Sequence, residues 1–298
     1  PVLFHFFEAV MDFLAQMIAG APEEAYFYLW HLGGGKISTS FRVGDGPEAA
    51  TTFANGKRDL YVGASYSMAP VDPKHRVEAV SSAGIAGLWM DVDVAHPCHK
   101  KSAKLPPRYE DAHGLIQRMP LAPTVIIDTG HGLQPWWFFQ EAWMFDGPQE
   151  RDRAAILVAA WQDLLRLDAG RLGWSVDSTH DLARVMRVPG SLNAKVPTEI
   201  RPVQIVKEAW NLRYDPKDFD EFLTRQDAQK NGCLPHHAAK SSSPPIEIEQ
   251  PGYSEIVALL ACRKAKQAFE RKLTGGDPTP SGQDMVLALI AASEGWTT

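Results

Sequence analysis

The sequence predicts a protein of mixed strands and helices, an α+β chain, and three kinds of segment predict it. Apolar residues recur at helical spacing over 4–18 and again over 150–172. Runs of bulky and β-branched residues at 24–31, 59–66, 87–94 and 123–128 read as strands. Glycine clusters lie between such segments, and the Gly33-Gly34-Gly35 run reads as the turn of a hairpin, because no helix of phosphate-loop pattern follows it.

The elements follow in order. Phe4, Phe7, Met11, Leu14 and Ile18 mark a packing helix that Gly20 ends. Residues 47–55 form a short helix, and 59–66 a single strand. The 87–94 strand, Gly-Leu-Trp-Met-Asp-Val-Asp-Val, comes next. The Pro- and Lys-bearing stretch after it holds His96, Cys98 and His99; with no fourth ligand nearby in the sequence, it reads as a loop and not a metal site. Residues 109–119 are expected to be helical, and 123–128 a strand running into a glycine turn at 129–134. The 150–172 helix carries its apolar stripe on Ile156, Leu157, Ala160, Trp161 and Leu164, and Gly173 ends it. Residues 201–207 read as a strand and 216–225 as a short helix.

The only linker-like stretch is 236–252, with Ser241-Ser242-Ser243-Pro244-Pro245 inside it. The expected organisation is a catalytic domain over 1–235, the linker, and a small all-helical subdomain over 253–298. The chain opens on Pro1 and stops in an unfinished helical pattern, as a piece of a longer protein would.

With 298 residues, 45% of them hydrophobic and 22% charged, the chain has ample material for a core. A net charge of −6 excludes nucleic-acid binding by bulk charge; contact with DNA requires a local basic patch. Cys98, Cys233 and Cys262 form no Cys-x-x-Cys pair, which fits a reducing cytoplasm better than a disulfide framework. No stretch is apolar for long enough to span a membrane.

Three polar clusters interrupt the apolar strands. In the first, Asp91 and Asp93 stand two apart on one strand, so both side chains point to one face. Like charges that close favour a divalent cation between them, and hard ions such as Mg²⁺ or Mn²⁺ prefer carboxylate oxygens. In the second, Thr129-Gly130-His131-Gly132-Leu133-Gln134, two glycines beside polar residues let backbone N–H groups approach an anion, although a plain hairpin explains the pattern too. In the third, Asp177 and Asp181 precede Arg184, Arg187 and Lys195: acids to hold metal, cations to hold phosphate oxygens.

Taken together, the clusters resemble the motifs of the archaeo-eukaryotic primase superfamily. Asp91-Val92-Asp93 is similar to its Asp-x-Asp/Glu motif. The 129–134 turn, followed by Pro135-Trp136-Trp137, is similar to its Ser-Gly-x-Gly-x-His motif. Asp181-Leu-Ala-Arg184-Val-Met-Arg187-Val-Pro-Gly190-Ser-Leu-Asn193-Ala-Lys195 resembles the third motif of phage and plasmid primase-polymerases, and it is the most specific of the three.

The resemblance spans about residues 25–210. It implies an RRM-like antiparallel sheet packed against a second α/β unit, and template-directed nucleotidyl transfer that makes or extends primers. It further implies two Mg²⁺ or Mn²⁺ ions on Asp91, Asp93 and a third aspartate. The triphosphate would be held by Thr129, Gly130, His131, Gln134, Arg184, Arg187, Asn193 and Lys195. The partners it implies are a single-stranded DNA template, nucleoside triphosphates and a helicase.

Gln134 falls where the family has a histidine, and His131 is the residue nearest in sequence to stand in for it. Asp177 and Asp181 compete as third ligand; Asp177 is preferred, because Asp181 can pair locally with Arg184. Two other function classes use the same residues: a metal-dependent nuclease, and a non-catalytic replication initiator that binds DNA. The arginine–lysine cluster favours a triphosphate substrate over the first, and the acidic balance disfavours the second.

Overall fold

A computed structural model describes residues 2–33, 35–100, 102–220 and 222; the linker and helical subdomain expected beyond 235 lie outside them. Among the described residues, four α-helices and twelve strands carry the fold. They are α1 (Val2–Ile18), β1 (Tyr26–His31), β2 (Ile37–Arg42), α2 (Glu48–Ala54), β3 (Leu60–Gly63), β4 (Ser65–Tyr66), β5 (Gly84–Trp89), β6 (Val92–Asp93), α3 (Tyr109–Gln117), β7 (Val125–Asp128), β8 (Gly132–Met144), α4 (Pro148–Arg171), β9 (Val185–Arg187), β10 (Leu192–Asn193), β11 (Arg201–Pro202) and β12 (Gln204–Glu208).

All pairings between these strands are antiparallel, as expected of an α+β chain. One sheet has the order β2-β1-β3-β9, with β1 and β2 joined as the expected hairpin. The larger sheet runs β12-β7-β8-β5-β4, and β6 also pairs with β8. β10 and β11 form a separate two-stranded ribbon.

β8 organises the larger sheet, and its side chains alternate between two cores. Trp136 and Phe138 meet Phe13 of α1 at ring-centroid distances of 5.8 and 5.9 Å. Trp137 points the other way, edge-on to Trp161 of α4 at 5.4 Å. All five of these aromatic side chains are buried, and each such side chain contributes about 1.5–3 kcal/mol by leaving water.

The apolar stripe of α4 is rotated from the expected one. Ala154, Leu157, Val158, Trp161, Gln162, Leu165 and Ala169 are buried, whereas Ile156 is 64% exposed. Gly173 ends the helix with a φ of +78°, a backbone conformation that favours glycine.

Three expected strands are broken. The 59–66 run divides into β3 and β4, which belong to different sheets. The break falls at Ala64, whose N–H donates to the Arg184 carbonyl. The 201–207 run divides at buried Val203, whose N–H and C=O pair with Ser191 and Gly190, so that β11 joins the ribbon and β12 the large sheet. The 87–94 run stops at Trp89 and resumes at Val92. Opposite the gap stands Pro135, which has no N–H to give the ladder; only Met90 N–H to Pro135 O remains, at 3.1 Å. Over the described residues the 216–225 helix starts as a 3₁₀ turn at Pro216–Phe219, opened by a capping box between Asp215 and Asp218, and is α-helical at Asp220 and Phe222.

Candidate active site

The gap in the aspartate strand does not disturb its register. Trp89 faces Trp136 before it and Val92 faces Leu133 after it, so Asp91 falls opposite Gln134. Asp91 and Asp93 therefore share the face of Trp89, Trp136 and Phe138, as the spacing predicted. On that face Gln134 of β8 meets Arg187 of β9 in the smaller sheet.

Gln134 is the link between the two sheets. Its side-chain amide donates to Asp91 Oδ1 at 3.3 Å, and its carbonyl accepts the Arg187 N–H at 3.0 Å. It is 4% exposed, and both ends are engaged inside the protein. The side chain expected to hold phosphate thus has both its amide ends hydrogen-bonded to protein groups.

The two carboxyls are strained electrostatically. Burial raises the pKa of Asp91, against the neighbouring Arg184, the Gln134 hydrogen bond and Arg187, while Asp177 adds to the rise. Burial likewise pushes Asp93 up to about 7, helped by Asp91 and Asp177 and opposed by Lys195 and Arg187. Asp177 thus acts on both carboxylates. Asp181 lies 4.0 Å from Arg184 Nη1.

The segment bearing Asp177 has no regular structure, and buried Gln162 on α4 fixes it. The Gln162 carbonyl accepts from the Thr179 N–H at 3.0 Å and the Thr179 hydroxyl at 3.2 Å, and its amide donates to Trp89 O at 2.9 Å. Trp89 Nε1 closes the circuit by donating to Thr179 O at 2.8 Å. Sequence reasoning missed Gln162; a polar residue inside the stripe of a buried helix was its only signal.

The expected phosphate ligands fall into two sets. Lys195 is exposed and Arg184 keeps 32% of its side chain exposed, so both can meet a ligand from solvent. Arg187 is buried: it pairs with Asp59 at 3.1 Å and its guanidinium lies 4.8 Å above the Tyr61 ring. Asp59 was missed too. It is the one non-glycine with positive φ among the described residues, at 49°, and it also accepts the Ala194 N–H at 3.1 Å.

The remaining expected ligands serve the framework. Thr129 is buried and its hydroxyl donates to Gly132 O at 3.1 Å. The Gly130 N–H, expected to approach an anion, is taken by Asp128 Oδ1 at 2.7 Å. Asn193 donates to Thr129 O at 2.6 Å and accepts the Lys195 N–H at 3.0 Å.

His131 also departs from expectation. Val94 N–H donates to its carbonyl, so its side chain takes the face opposite to Asp91 and Asp93. Burial and the nearby Arg201 lower its pKa to about 4, so the ring is neutral and does not replace a phosphate-binding cation. It packs 4.5 Å from the His96 ring instead.

A divalent hard cation fits this acidic set. Burial raises the carboxyl pKa values of Asp91 and Asp93 and the charge of Asp177 adds to both, and oxygen donors suit Mg²⁺ or Mn²⁺. Among the described residues these three carboxylates do not form a group whose ligand atoms all lie within 4.8 Å of one another.

Solved primases resemble this chain. The primase-polymerase AEP domain of cyanophage S-2L matches at 14% identity and a TM-score of 0.43, over 72% of this chain and 97% of that one. The catalytic domain of primase RepB′ in complex with initiator DNA matches at 14% identity and a TM-score of 0.42, over 76% of this chain and 97% of that one. A structure of primase RepB′ covers 98% of this chain and 83% of its own at 12% identity and a TM-score of 0.41. No protein-family model matches the chain, and neither does any curated protein. Among the described residues no helix is long and apolar enough to cross a membrane.

Proposed function

We propose that this chain is a primase-polymerase of the archaeo-eukaryotic primase type, joining nucleotides on a single-stranded DNA template. One observation carries the reading. Three aspartates from two separate segments converge with Arg184, Arg187 and Lys195, and the carboxyl of Asp93 is driven up to about 7. A site that raises carboxyl pKa values by burial and like charge is built for a cation, and the cations at its edge are built for an anion.

In this reading Asp91, Asp93 and Asp177 hold two Mg²⁺ or Mn²⁺ ions, which when bound activate the primer 3′-hydroxyl and neutralise the departing pyrophosphate. Arg184 and Lys195, the exposed cations, hold the triphosphate oxygens. Asp181 restrains Arg184 from the other side. Gln134 orients Asp91 and Arg187 supplies fixed positive charge nearby, without touching the nucleotide. A helicase, as partner or as a further domain, would supply the unwound template.

Incubation of the 298-residue chain with template, nucleotides and Mn²⁺ or Mg²⁺, resolved on a sequencing gel, tests the proposal. New or extended strands are expected, and Asp91→Asn or Asp93→Asn should abolish them while circular dichroism stays unchanged. A shortened template would instead reveal a nuclease, and a shifted but unaltered template a DNA-binding initiator.

A further inference from the structure

A chain of net charge −6 can hold a nucleic-acid strand only on a local basic patch, and one end of the smaller sheet carries such a patch. Register fixes which strands meet there. His31 at the end of β1 faces Ile37 at the start of β2 and Leu60 at the start of β3, and Tyr61 faces Arg187 at the end of β9. Three connections therefore emerge side by side: the 32–36 hairpin turn, the 55–59 turn between α2 and β3, and the 188–195 segment after β9. Together they carry Lys36, Lys57, Arg58 and Lys195, and a single acid, Asp59.

Backbone hydrogen bonds join the three connections into one surface. Leu32 N–H donates to Asp59 O at 3.2 Å, Asp59 N–H to Leu192 O at 2.7 Å, and Leu192 N–H to Lys57 O at 3.1 Å. Asp59 is already engaged, with Arg187 at 3.1 Å and the Ala194 N–H at 3.1 Å. Lys36, Arg58 and Lys195 are exposed; Lys57 is half-buried, its ammonium 4.4 Å from the centroid of the Phe53 ring. Among the described residues Lys36, Lys57 and Arg58 form no ion pair, whereas Arg108, Arg153, Arg166 and Arg171 are each paired with an acid. Leu32 and Ile37, 38% and 44% exposed, add apolar surface beside these cations.

We propose that Lys36, Lys57 and Arg58 form a ridge that binds the phosphodiester backbone of a single nucleic-acid strand, with Lys195 at the join between the ridge and the acidic cluster. The identity of that strand, the template, rests on the primase-polymerase reading; the placement of charge does not. Adjacent strands lie about 4.8 Å apart, so the sheet end from β2 to β9 extends about 14 Å. A strand carries one charge per about 3.4 Å of helix, so that length takes several successive phosphates. Two ties link the ridge to the acidic cluster: Lys195 acts on Asp93, and Arg187, which Asp59 holds, acts on Asp91.

Fluorescence anisotropy of a labelled single-stranded oligonucleotide with the full chain, in chelator and without nucleotides, tests the ridge at a series of salt concentrations. Each lost phosphate contact lowers the slope of log affinity against log salt by about 0.7. The triple variant Lys36→Gln, Lys57→Gln, Arg58→Gln should therefore reduce the slope by about 2 and weaken binding roughly tenfold or more near physiological salt. The control triple Arg118→Gln, Lys207→Gln, Lys217→Gln removes the same charge from exposed positions elsewhere and should keep the wild-type slope. On a primer-extension gel the ridge variant should need more template for half-maximal rate, with the KM for nucleotide unchanged. No binding by the wild type, an unchanged slope in the ridge variant, an equal fall in the control, or a raised nucleotide KM would each overturn the ridge. A chain that binds DNA with these slopes yet makes no product would overturn the primase-polymerase reading and leave the ridge standing.

Discussion

Asp93 should make the metal-free protein less stable as pH rises, and replacing it should remove that loss. In the folded chain, burial and the neighbouring Asp91 push its carboxyl up to about 7, from a value of 3.8 when unperturbed. The folded state therefore holds a proton that the unfolded chain has released. Where the native state binds more protons, stability falls with pH, so the loss begins near the unfolded value and is complete above the folded one. At 1.36 kcal/mol per unit the full penalty is about 4 kcal/mol. More than half of that penalty develops between pH 5 and pH 7, so stability should drop by about 2 kcal/mol across that interval. Other carboxylates titrate as well, so the measurement is a difference: urea denaturation of wild type and Asp93→Asn, both with chelator, at about pH 5 and pH 8. Asn lacks the charge, so the gap in favour of the variant should widen by about 2–3 kcal/mol between the two. Adding Mn²⁺ should narrow it again at high pH, by mass action on the wild type alone. A gap that stays constant with pH to within about 0.5 kcal/mol would show that Asp93 is not desolvated beside Asp91.

Asp177→Ala should lose Mn²⁺ affinity and most primer extension, whereas Asp181→Ala should cost roughly 10–100-fold through Arg184; unchanged metal affinity in Asp177→Ala, with loss in Asp181→Ala, would reverse their roles. Gln134→Leu strands the Arg187 N–H and removes a donor from Asp91, so it should cost about 1–3 kcal/mol of stability and slow extension. Wild-type stability and rate in that variant would refute the positioning role. On α4, Trp161→Ala should cost about 3–5 kcal/mol and Ile156→Ser less than about 0.5, read from urea midpoints; equal costs would mean that the helix faces the sheet as the sequence periodicity placed it.

The sequence by itself determined much of this protein. Local periodicity located α1, α4 and most strands, because each element buries one face and must repeat its apolar residues at its own period. The period of two also placed Asp91 and Asp93 on one face, since alternation survives a gap in pairing when the register is kept. The chain's own spacing set Asp181 beside Arg184.

Tertiary structure decided what distance along the chain conceals. Whether an apolar run is one strand or two depends on its neighbour: Pro135 across the sheet breaks the aspartate strand, and nothing within the strand does. The Gln162 hydrogen bonds, which tie the irregular segment at Thr179 to α4 and β5, join residues far apart in the chain. Whether a polar residue reaches solvent is likewise a property of its surroundings. Thr129, Gly130, Gln134, Arg187 and Asn193 have the chemistry of phosphate ligands, yet the fold consumes their donors and acceptors internally. His131 joined His96 and Cys98 only because antiparallel pairing brings the start of β8 alongside β6, a contact that no local pattern encodes.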